Sequence, residues 1–106
     1  MINLTNEEKT TDNIRTVDEL GRITLPKKVR ELYEININDN LGISIENETI
    51  VLKKDFDTDT EYIQVNELGL ITIPANIRDV LKVVAGDKFE FCTDKAKISL
   101  KKLPLA

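Results

Sequence analysis

A ten-residue block occurs twice in this chain, and this repeat limits the architecture more than any other feature. Residues 17–26 read VDELGRITLP and residues 65–74 read VNELGLITIP, so the copies lie 48 positions apart. The same spacing separates Arg30 from Arg78 and Asp39 from Asp87, with no gap. Two copies are too few for a solenoid, which needs about three or more. The repeat therefore predicts two units related by a pseudo-twofold axis, as in a dimer joined into one chain.

The length of the chain indicates that the two copies share one core. The chain has 106 residues, which suits a single domain. Each copy covers roughly 42 residues, close to the size at which a lone core fails. We therefore predict an acidic arm at 1–12, a first repeat at 13–54, an acidic linker at 55–60, a second repeat at 61–102 and a tail at 103–106, with both repeats in one compact domain.

The polar and apolar pattern of each copy predicts strand, strand, short helix, strand, strand. Residues 22–25 alternate between polar and apolar side chains, as a half-buried strand does. Pro26 suits the start of a helix. Val29, Leu32 and Tyr33 then form one apolar helical stripe. The second copy repeats the stripe with Ile77, Val80 and Leu81. The fold class is therefore mainly β with two short helices.

The residue content excludes several classes of function. The chain has no His and one cysteine, Cys92, so we expect no disulfide, no metal and no cofactor. Without a His to activate it, Cys92 is expected to be a packed thiol and not a catalytic one, and no enzyme signature is present. No apolar run approaches a membrane span of about 20 residues, and the first residues do not resemble a secretory signal. These features predict a cytoplasmic protein that is not an enzyme.

The negative charge is expected to lie outside the two repeats. The net charge is −4, of which the arm carries −2 and the linker −3. The first repeat sums to 0 and the second to +1. A nearly neutral repeat can still present a basic face to a nucleic acid if its carboxylates point elsewhere.

Four features of the sequence together resemble the AbrB/SpoVT/MazE swapped-hairpin family. They are the string ELGR-x-x-x-P at residues 19–26, the short helix with Arg30, the loop with Asp39 and the closing IVLKK at residues 50–54. Family members are usually homodimers of one such half, whose hairpins exchange to build a small DNA-binding β-barrel. The resemblance implies a pseudo-twofold swapped-hairpin β-barrel built from two ββαββ repeats in one chain. Only residues 103–106 follow the last predicted strand, which favours a regulator over a MazE-type antitoxin with a long toxin-binding tail.

The resemblance also implies which residues contact DNA. Carried over by position, the arginines of the family correspond to Arg15, Arg22 and Arg30, whereas the second copy has Ile63, Leu70 and Arg78. We expect Arg15 and Arg22 to lie close together on paired strands. Lys27 and Lys28 begin the helix beside them, where the helix dipole favours phosphate, and the second copy has Ala75 and Asn76 there. The predicted DNA-binding residues are Arg15, Arg22, Lys27, Lys28, Arg30 and Arg78.

Structural roles compete with functional ones at several positions. Arg30 and Arg78 are each followed by an acid, Glu31 and Asp79, so a structural ion pair is an alternative to DNA contact. Leu70 is either buried or exposed as a contact patch. The remaining repeated residues are expected to act in structure only: Gly21 and Gly69 in turns, Pro26 and Pro74 at helix starts, Asp39 and Asp87 in loops, and Lys53, Lys54, Lys101 and Lys102 at exposed strand edges.

Two functions follow from the resemblance. The first is a DNA-binding transcriptional regulator of the AbrB type, cytoplasmic and nucleoid-associated, which contacts double-stranded DNA mainly through the basic N-terminal repeat. Two such chains are expected to pair as a homodimer. The alternative is an antitoxin-like or regulator-binding interaction module, whose partner is a toxin or a homologous regulator and whose DNA binding is weak or absent. Neither involves a membrane.

Overall fold

A computed structural model describes residues 13–94 and 97–104 of the chain. The predicted arm at 1–12, Lys95 of the predicted last turn, and the end of the predicted tail lie outside the described residues. The element order is β1 (Ile14–Thr16), β2 (Arg22–Thr24), α1 (Lys27–Leu32), β3 (Asn40–Glu46), β4 (Thr49–Lys53), β5 (Tyr62–Gln64), β6 (Leu70–Thr72), α2 (Ala75–Leu81), β7 (Lys88–Asp94) and β8 (Lys97–Lys102). This order confirms the mainly β fold with two short helices.

The strands are exchanged between the two halves of the chain, residues 13–54 and 61–102. Six strands form one curled antiparallel sheet in the order β1-β7-β8-β4-β3-β5, and β2 pairs with β6 in a second, two-stranded sheet. The order reads the same from either end when each strand is replaced by its counterpart in the other half. This exchange of strands is the swapped-hairpin arrangement that the resemblance implied.

One predicted pairing is wrong, because β1 does not pair with β2. Arg15 of β1 lies opposite Phe89 of β7, and Arg22 of β2 lies opposite Thr72 of β6. The turn between β1 and β2 is closed locally, by the N–H of Asp18 on the carbonyl of Arg22 at 2.9 Å. A hairpin of two three-residue strands is marginal on its own. Each short outer strand instead pairs with a seven-residue strand of the other half.

A pseudo-twofold axis relates the pairing in the two halves. The register of β1 with β7 and the register of β5 with β3 become identical when 48 is added or subtracted. Ile23 lies opposite its own counterpart Ile71, and Val51 lies opposite its counterpart Ser99. The axis therefore passes between the members of these two pairs.

The core is aliphatic and comes from both halves, with two phenylalanines from the second. Its fully buried side chains include Leu25, Leu41, Ile50, Leu52, Ile73, Phe89, Phe91 and Leu100. The predicted helical stripes are only partly right. Val29 and Ile77 are buried, but Leu32 is 67% exposed and Val80 is 66% exposed. Helices of six and seven residues present too little length to bury a stripe of two turns.

Two equivalent aspartates, one in each half, brace the loops that follow the helices. Asp39 Oδ2 accepts the N–H of Asn36 at 2.7 Å, and Asp87 Oδ2 accepts the N–H of Val84 at 2.9 Å. These bonds confirm that both aspartates brace loops. Asp87 is buried and also lies 3.4 Å from Lys102 Nζ.

The prediction that the lysine pairs protect exposed strand edges is wrong. β4 and β8, the strands that lead to these lysines, lie beside each other in the middle of the sheet. Lys54 Nζ donates to the carbonyl of Glu34 at 2.9 Å, and Lys102 Nζ donates to that of Lys82 at 2.8 Å. A lysine that reaches the carbonyl end of a helix satisfies acceptors that lack intrahelical partners. These two lysines therefore hold the helix ends against the sheet.

Candidate nucleic-acid interface

Three of the predicted basic residues line one groove. Arg15 is half-buried on β1, and its Nη1 donates to the carbonyl of Ile14 at 2.8 Å. Lys27 and Lys28 are exposed at the start of α1. The three side chains line a surface depression together with Pro26 and Glu31, which we call the basic groove. Lys27 Nζ lies 4.0 Å from Glu31 Oε2, and because both side chains are exposed the pair is weak.

Arg22 lies in a different depression, formed by both halves. Its walls are the turn at 17–20 and the loop residues Ala85 and Gly86 of the second half, and we call it the turn groove. The Arg22 side chain is 37% exposed, and its Nε donates to Asp18 Oδ2 at 2.8 Å. Arg15 and Arg22 were expected to be neighbours on paired strands, but they line separate grooves because β1 and β2 belong to separate sheets.

The carboxylate of Asp18 is held in its charged form. A hydrogen bond from the backbone N–H of Arg22, the Arg22 side chain and a second bond from the N–H of Leu20 lower the pKa of Asp18 below its ordinary value. The pairing of Asp18 with Arg22 was not among the predictions from the sequence. The signal in the sequence was that an acid and an arginine lie four positions apart, on either side of a turn that contains Gly21.

Arg30 and Arg78 contact the opposite half. Arg30 Nε donates to the carbonyl of Leu25 at 3.4 Å, and Arg78 Nε donates to that of Ile73 at 2.8 Å. Their guanidinium groups lie against the turn glycines across the axis, Arg78 on Gly21 and Arg30 on Gly69. Among the described residues no ion pair joins either arginine to the acid that follows it, so a backbone carbonyl takes the place of the expected acidic partner.

The turn glycines have two reasons to be glycine. Gly21 has φ +79° and Gly69 has φ +80°, which confirms the predicted turn geometry. In addition, a Cβ on Gly21 would lie 2.8 Å from Arg78 Nε, whereas one on Gly69 would lie 3.5 Å from Arg30 Nε. The contact between the halves is therefore tighter at Gly21.

The corresponding face of the second half has lost its charges. Ile63, at the position of Arg15, is 8% exposed and belongs to the core. Leu70, at the position of Arg22, is half-buried, so it is neither a core residue nor a fully exposed patch. Ala75 and Asn76 are exposed in place of the two lysines, and Asn76 Nδ2 donates to Glu61 Oε1 at 3.2 Å.

The described part of the chain offers little for other chemistry. Residues 13–94 and 97–104 contain no group of three or more His, Cys, Asp or Glu that could hold a metal ion. Within these same ranges, the helices are too short and too polar to cross a bilayer. Cys92 is a half-buried free thiol.

The exchanged strands, the two short helices and the basic groove define a class of small swapped-hairpin β-domains. Residues 14–55 match the family described as "Antidote-toxin recognition MazE, bacterial antitoxin". This part of the chain is therefore similar to domains of the MazE/AbrB type, the family that the sequence motifs resemble.

Two relatives from Bacillus subtilis (strain 168) are similar to part of the chain. The "Putative transition state regulator Abh" is 42% identical over 41 residues, which are 39% of this chain and 45% of the relative. The "Transition state regulatory protein AbrB" is 44% identical over 46 residues, which are 43% of this chain and 48% of the relative. The similarity thus spans about half the length of these relatives.

A solved structure is similar over most of the chain. It is the solution structure of PHS018 from Pyrococcus horikoshii, which matches with a TM-score of 0.51 and 26% identity over 85% of each chain. This likeness includes both halves, and it supports the fold described above.

Proposed function

We propose that this protein is a DNA-binding transcriptional regulator that contacts DNA through the first half of the chain. One observation carries the proposal. Four positions, which hold Arg15, Arg22, Lys27 and Lys28 in the first half, hold no charged residue at their counterparts in the second half. The pseudo-twofold axis makes these positions structurally equivalent, so one face is basic and its counterpart is not.

The basic groove suits the phosphate backbone. Arginine and lysine side chains bind phosphate and release condensed counterions, which supplies most of the affinity of proteins for DNA. The net charge of −4 does not oppose this, because the linker Asp55, Asp57 and Asp59 and the first twelve residues carry the excess acidity. The protein acts in the cytoplasm, on the nucleoid, as a regulator and not as an enzyme.

One basic face per chain has a consequence for stoichiometry. Symmetric regulators place two equivalent faces on one duplex, and this chain offers one. Two copies therefore pair on DNA, each presenting its first half. Light scattering of the complex should give two chains per short duplex, and a one-to-one complex would contradict the pairing.

The experiment that tests the proposal removes charge from the first half only. Fluorescence anisotropy would compare wild type with Arg15→Ala/Arg22→Ala on DNA from upstream of the gene and on a scrambled duplex, across a salt series. The matched control is Lys53→Ala/Lys101→Ala, which removes the same charge from exposed positions of β4 and the end of β8. We expect wild type and control to bind in a salt-sensitive manner and the arginine variant to lose affinity.

The magnitude of the salt dependence separates the outcomes. Each lost phosphate contact should reduce the slope of log affinity against log salt by about 0.9. Equal binding by the arginine variant and the lysine control would show that the basic face is misassigned. Absence of binding by wild type at low salt would reject DNA binding altogether.

The second candidate function is an antitoxin-like or regulator-binding module. The matching family is described by its toxin recognition. Leu68 is 74% exposed and Val80 is 66% exposed in the second half, as their counterparts Leu20 and Leu32 are in the first, and in the second half they occur without the basic residues. Co-purification with a small basic protein, lost on Leu68→Ser/Val80→Ser, would support this function over the first.

A further inference from the structure

The two turns that carry the positions of Arg22 and Leu70 are built alike. Asp18 Oδ1 accepts the N–H groups of Leu20 at 2.9 Å and of Arg22 at 2.8 Å. At the equivalent turn, Asn66 Oδ1 accepts the N–H groups of Leu68 at 2.9 Å and of Leu70 at 3.0 Å. One side-chain oxygen therefore closes each turn, and an asparagine closes it as well as an aspartate does.

The second oxygen of Asp18 has a different task. Asp18 Oδ2 accepts the Nε–H of Arg22 at 2.8 Å, and the two side chains are 36% and 37% exposed. In the second half the acceptor oxygen and the arginine are both missing, since Asn66 faces Leu70. The half with an aspartate at the turn, Asp18, has an arginine four residues later. The half with an asparagine there, Asn66, has a leucine four residues later.

This bond leaves the outer edge of the guanidinium available. Of the three guanidinium nitrogens of Arg22, only Nε has a hydrogen-bond partner among the described residues. Arg22 lines the turn groove, and its two Nη groups have no hydrogen-bond partner among the described residues. A planar pair of donors matches the O6 and N7 acceptors of guanine, the commonest specific contact of arginine in the major groove.

Residues of the second half hold the turn before Arg22 in place. Ile73 donates its N–H to the carbonyl of Gly21 at 2.9 Å, and Arg78 Nε donates to the carbonyl of Ile73 at 2.8 Å. The Arg78 guanidinium also covers Gly21, the residue before Arg22. Arg22 is therefore held at its backbone by the pairing of β2 with β6 and at its Nε by Asp18, which reduces the side-chain entropy that is lost on binding.

We infer that Asp18 is a positioning residue that fixes Arg22 to read guanine, so that Arg22 supplies sequence discrimination while Arg15, Lys27 and Lys28 supply affinity. The inference rests on the proposed function, because it assigns separate tasks within the same DNA interface. A carboxylate beside DNA weakens attraction to phosphate. Its presence next to Arg22 is useful only where the contact specifies a base, because phosphate contacts carry no sequence information.

The test uses the full chain and a duplex selected by wild type from a random-sequence pool. Four proteins are compared: wild type, Asp18→Asn, Arg22→Ala and Asn66→Asp. Asp18→Asn retains the turn, as Asn66 shows, and removes only the oxygen that holds Arg22. Asn66→Asp is the matched control, because Leu70 offers it no partner. The measured quantities are the affinity ratio between the selected duplex and its scramble, and the salt slope on the scramble.

We expect Asp18→Asn to lower the affinity ratio about tenfold, the order expected for one bidentate base contact. Its affinity for the scrambled duplex should be equal or higher and its salt slope unchanged. Arg22→Ala should lower the ratio to the same extent, and Asn66→Asp should leave it unchanged. Replacement of one guanine in the selected duplex by 7-deazaguanine, which lacks N7, should weaken wild type and leave Asp18→Asn unaffected.

A readout without DNA separates this inference from the proposed function. In the free protein the Nε–H of Arg22 should give a protected signal in ¹⁵N NMR, and Asp18→Asn should abolish it. An affinity ratio within about twofold of wild type for Asp18→Asn would overturn the inference while DNA binding stands. An unprotected Nε–H in wild type would overturn it as well. Failure of wild type to bind any duplex at low salt would overturn both.

Discussion

The turn glycines show how one residue can serve backbone conformation and contact between the halves together. Gly21 and Gly69 have the same positive φ, so Ala at either position should cost about 1–2 kcal/mol of unfolding free energy. A Cβ at position 21 would also collide with Arg78, because the atoms would lie 2.8 Å apart. We predict that Gly21→Ala destabilises the protein by roughly 1 kcal/mol more than Gly69→Ala, as overpacking does.

Urea denaturation of the two variants measures this difference. The control is Gly21→Ala combined with Arg78→Ala, in which the collision is removed and the cost of Gly21→Ala should approach that of Gly69→Ala. Equal destabilisation by the two single variants would contradict the tighter contact at Gly21.

Asp18 gives a pH-dependent prediction at the same scale. Its pKa is lowered in the folded protein, chiefly by the backbone N–H of Arg22. Its contribution to unfolding free energy is therefore complete above the unfolded pKa of about 3.9 and is lost as pH falls through the folded pKa. We predict that wild type exceeds Asp18→Asn in stability at about pH 6 and that this excess shrinks at about pH 2.5. Denaturation at both pH values measures it, and a constant difference would contradict it.

Much of the residue scale could be predicted from the sequence, where the partner is close along the chain. The loop bonds of Asp39 and Asp87 and the turn at Gly21 involve residues within three or four positions. The contact of Arg78 with Gly21 could not be predicted, because 56 intervening residues of chain bring them together. Because Arg78 directly precedes Asp79, the sequence suggests an ion pair between them. In the structure Arg78 Nε donates to the carbonyl of Ile73 instead.

At the scale of elements, one tyrosine joins a helix end to a distant hairpin. Tyr33 follows α1, and its hydroxyl lies within hydrogen-bond distance of the carbonyls of Asp94 and Lys97, to one of which it can donate, while the N–H of Asp94 donates to it at 3.1 Å. At the equivalent position the second half has Leu81, which has no hydroxyl. The ends of β7 and β8 are therefore attached to α1 in a way that has no counterpart at α2.

Loss of this hydroxyl should loosen the ends of β7 and β8. We predict that Tyr33→Phe lowers the unfolding free energy by about 1 kcal/mol, the usual value of a net hydrogen bond, and speeds hydrogen exchange at Asp94. Tyr62→Phe is the matched control, because Tyr62 is 58% exposed and stacks on Phe56 through its ring, which the substitution retains. Equal effects of the two variants would show that the bonds of Tyr33 contribute nothing.

The type of each element followed from the sequence, but its partner did not. Alternation in residues 22–25 and the proline before α1 fixed strand and helix correctly. The expected β1–β2 hairpin was wrong because strands that follow each other along the chain pair in most proteins but not in all. β1 instead pairs with β7, whose Phe89 and Phe91 are buried in the shared core, and such a choice depends on the whole core.

At the scale of the whole molecule, neither half can complete its own sheet. β1 needs β7, β5 needs β3, and β4 pairs with β8 across the axis. We predict that a fragment of residues 13–54 is either unfolded or an obligate dimer in which a second copy replaces the other half. Circular dichroism and light scattering at several concentrations would measure this. A folded monomeric fragment would contradict the exchanged pairing.

The measurement that tests the account most directly is an NMR titration of the ¹⁵N-labelled full chain with a short duplex. If the first half carries the interface, amide shifts should concentrate at residues 15, 22, 27 and 28, and the counterparts 63, 70, 75 and 76 should move little. Shifts of equal size at both sets would contradict the asymmetric interface. Shifts centred on the second half would contradict the assignment of DNA binding to the basic groove.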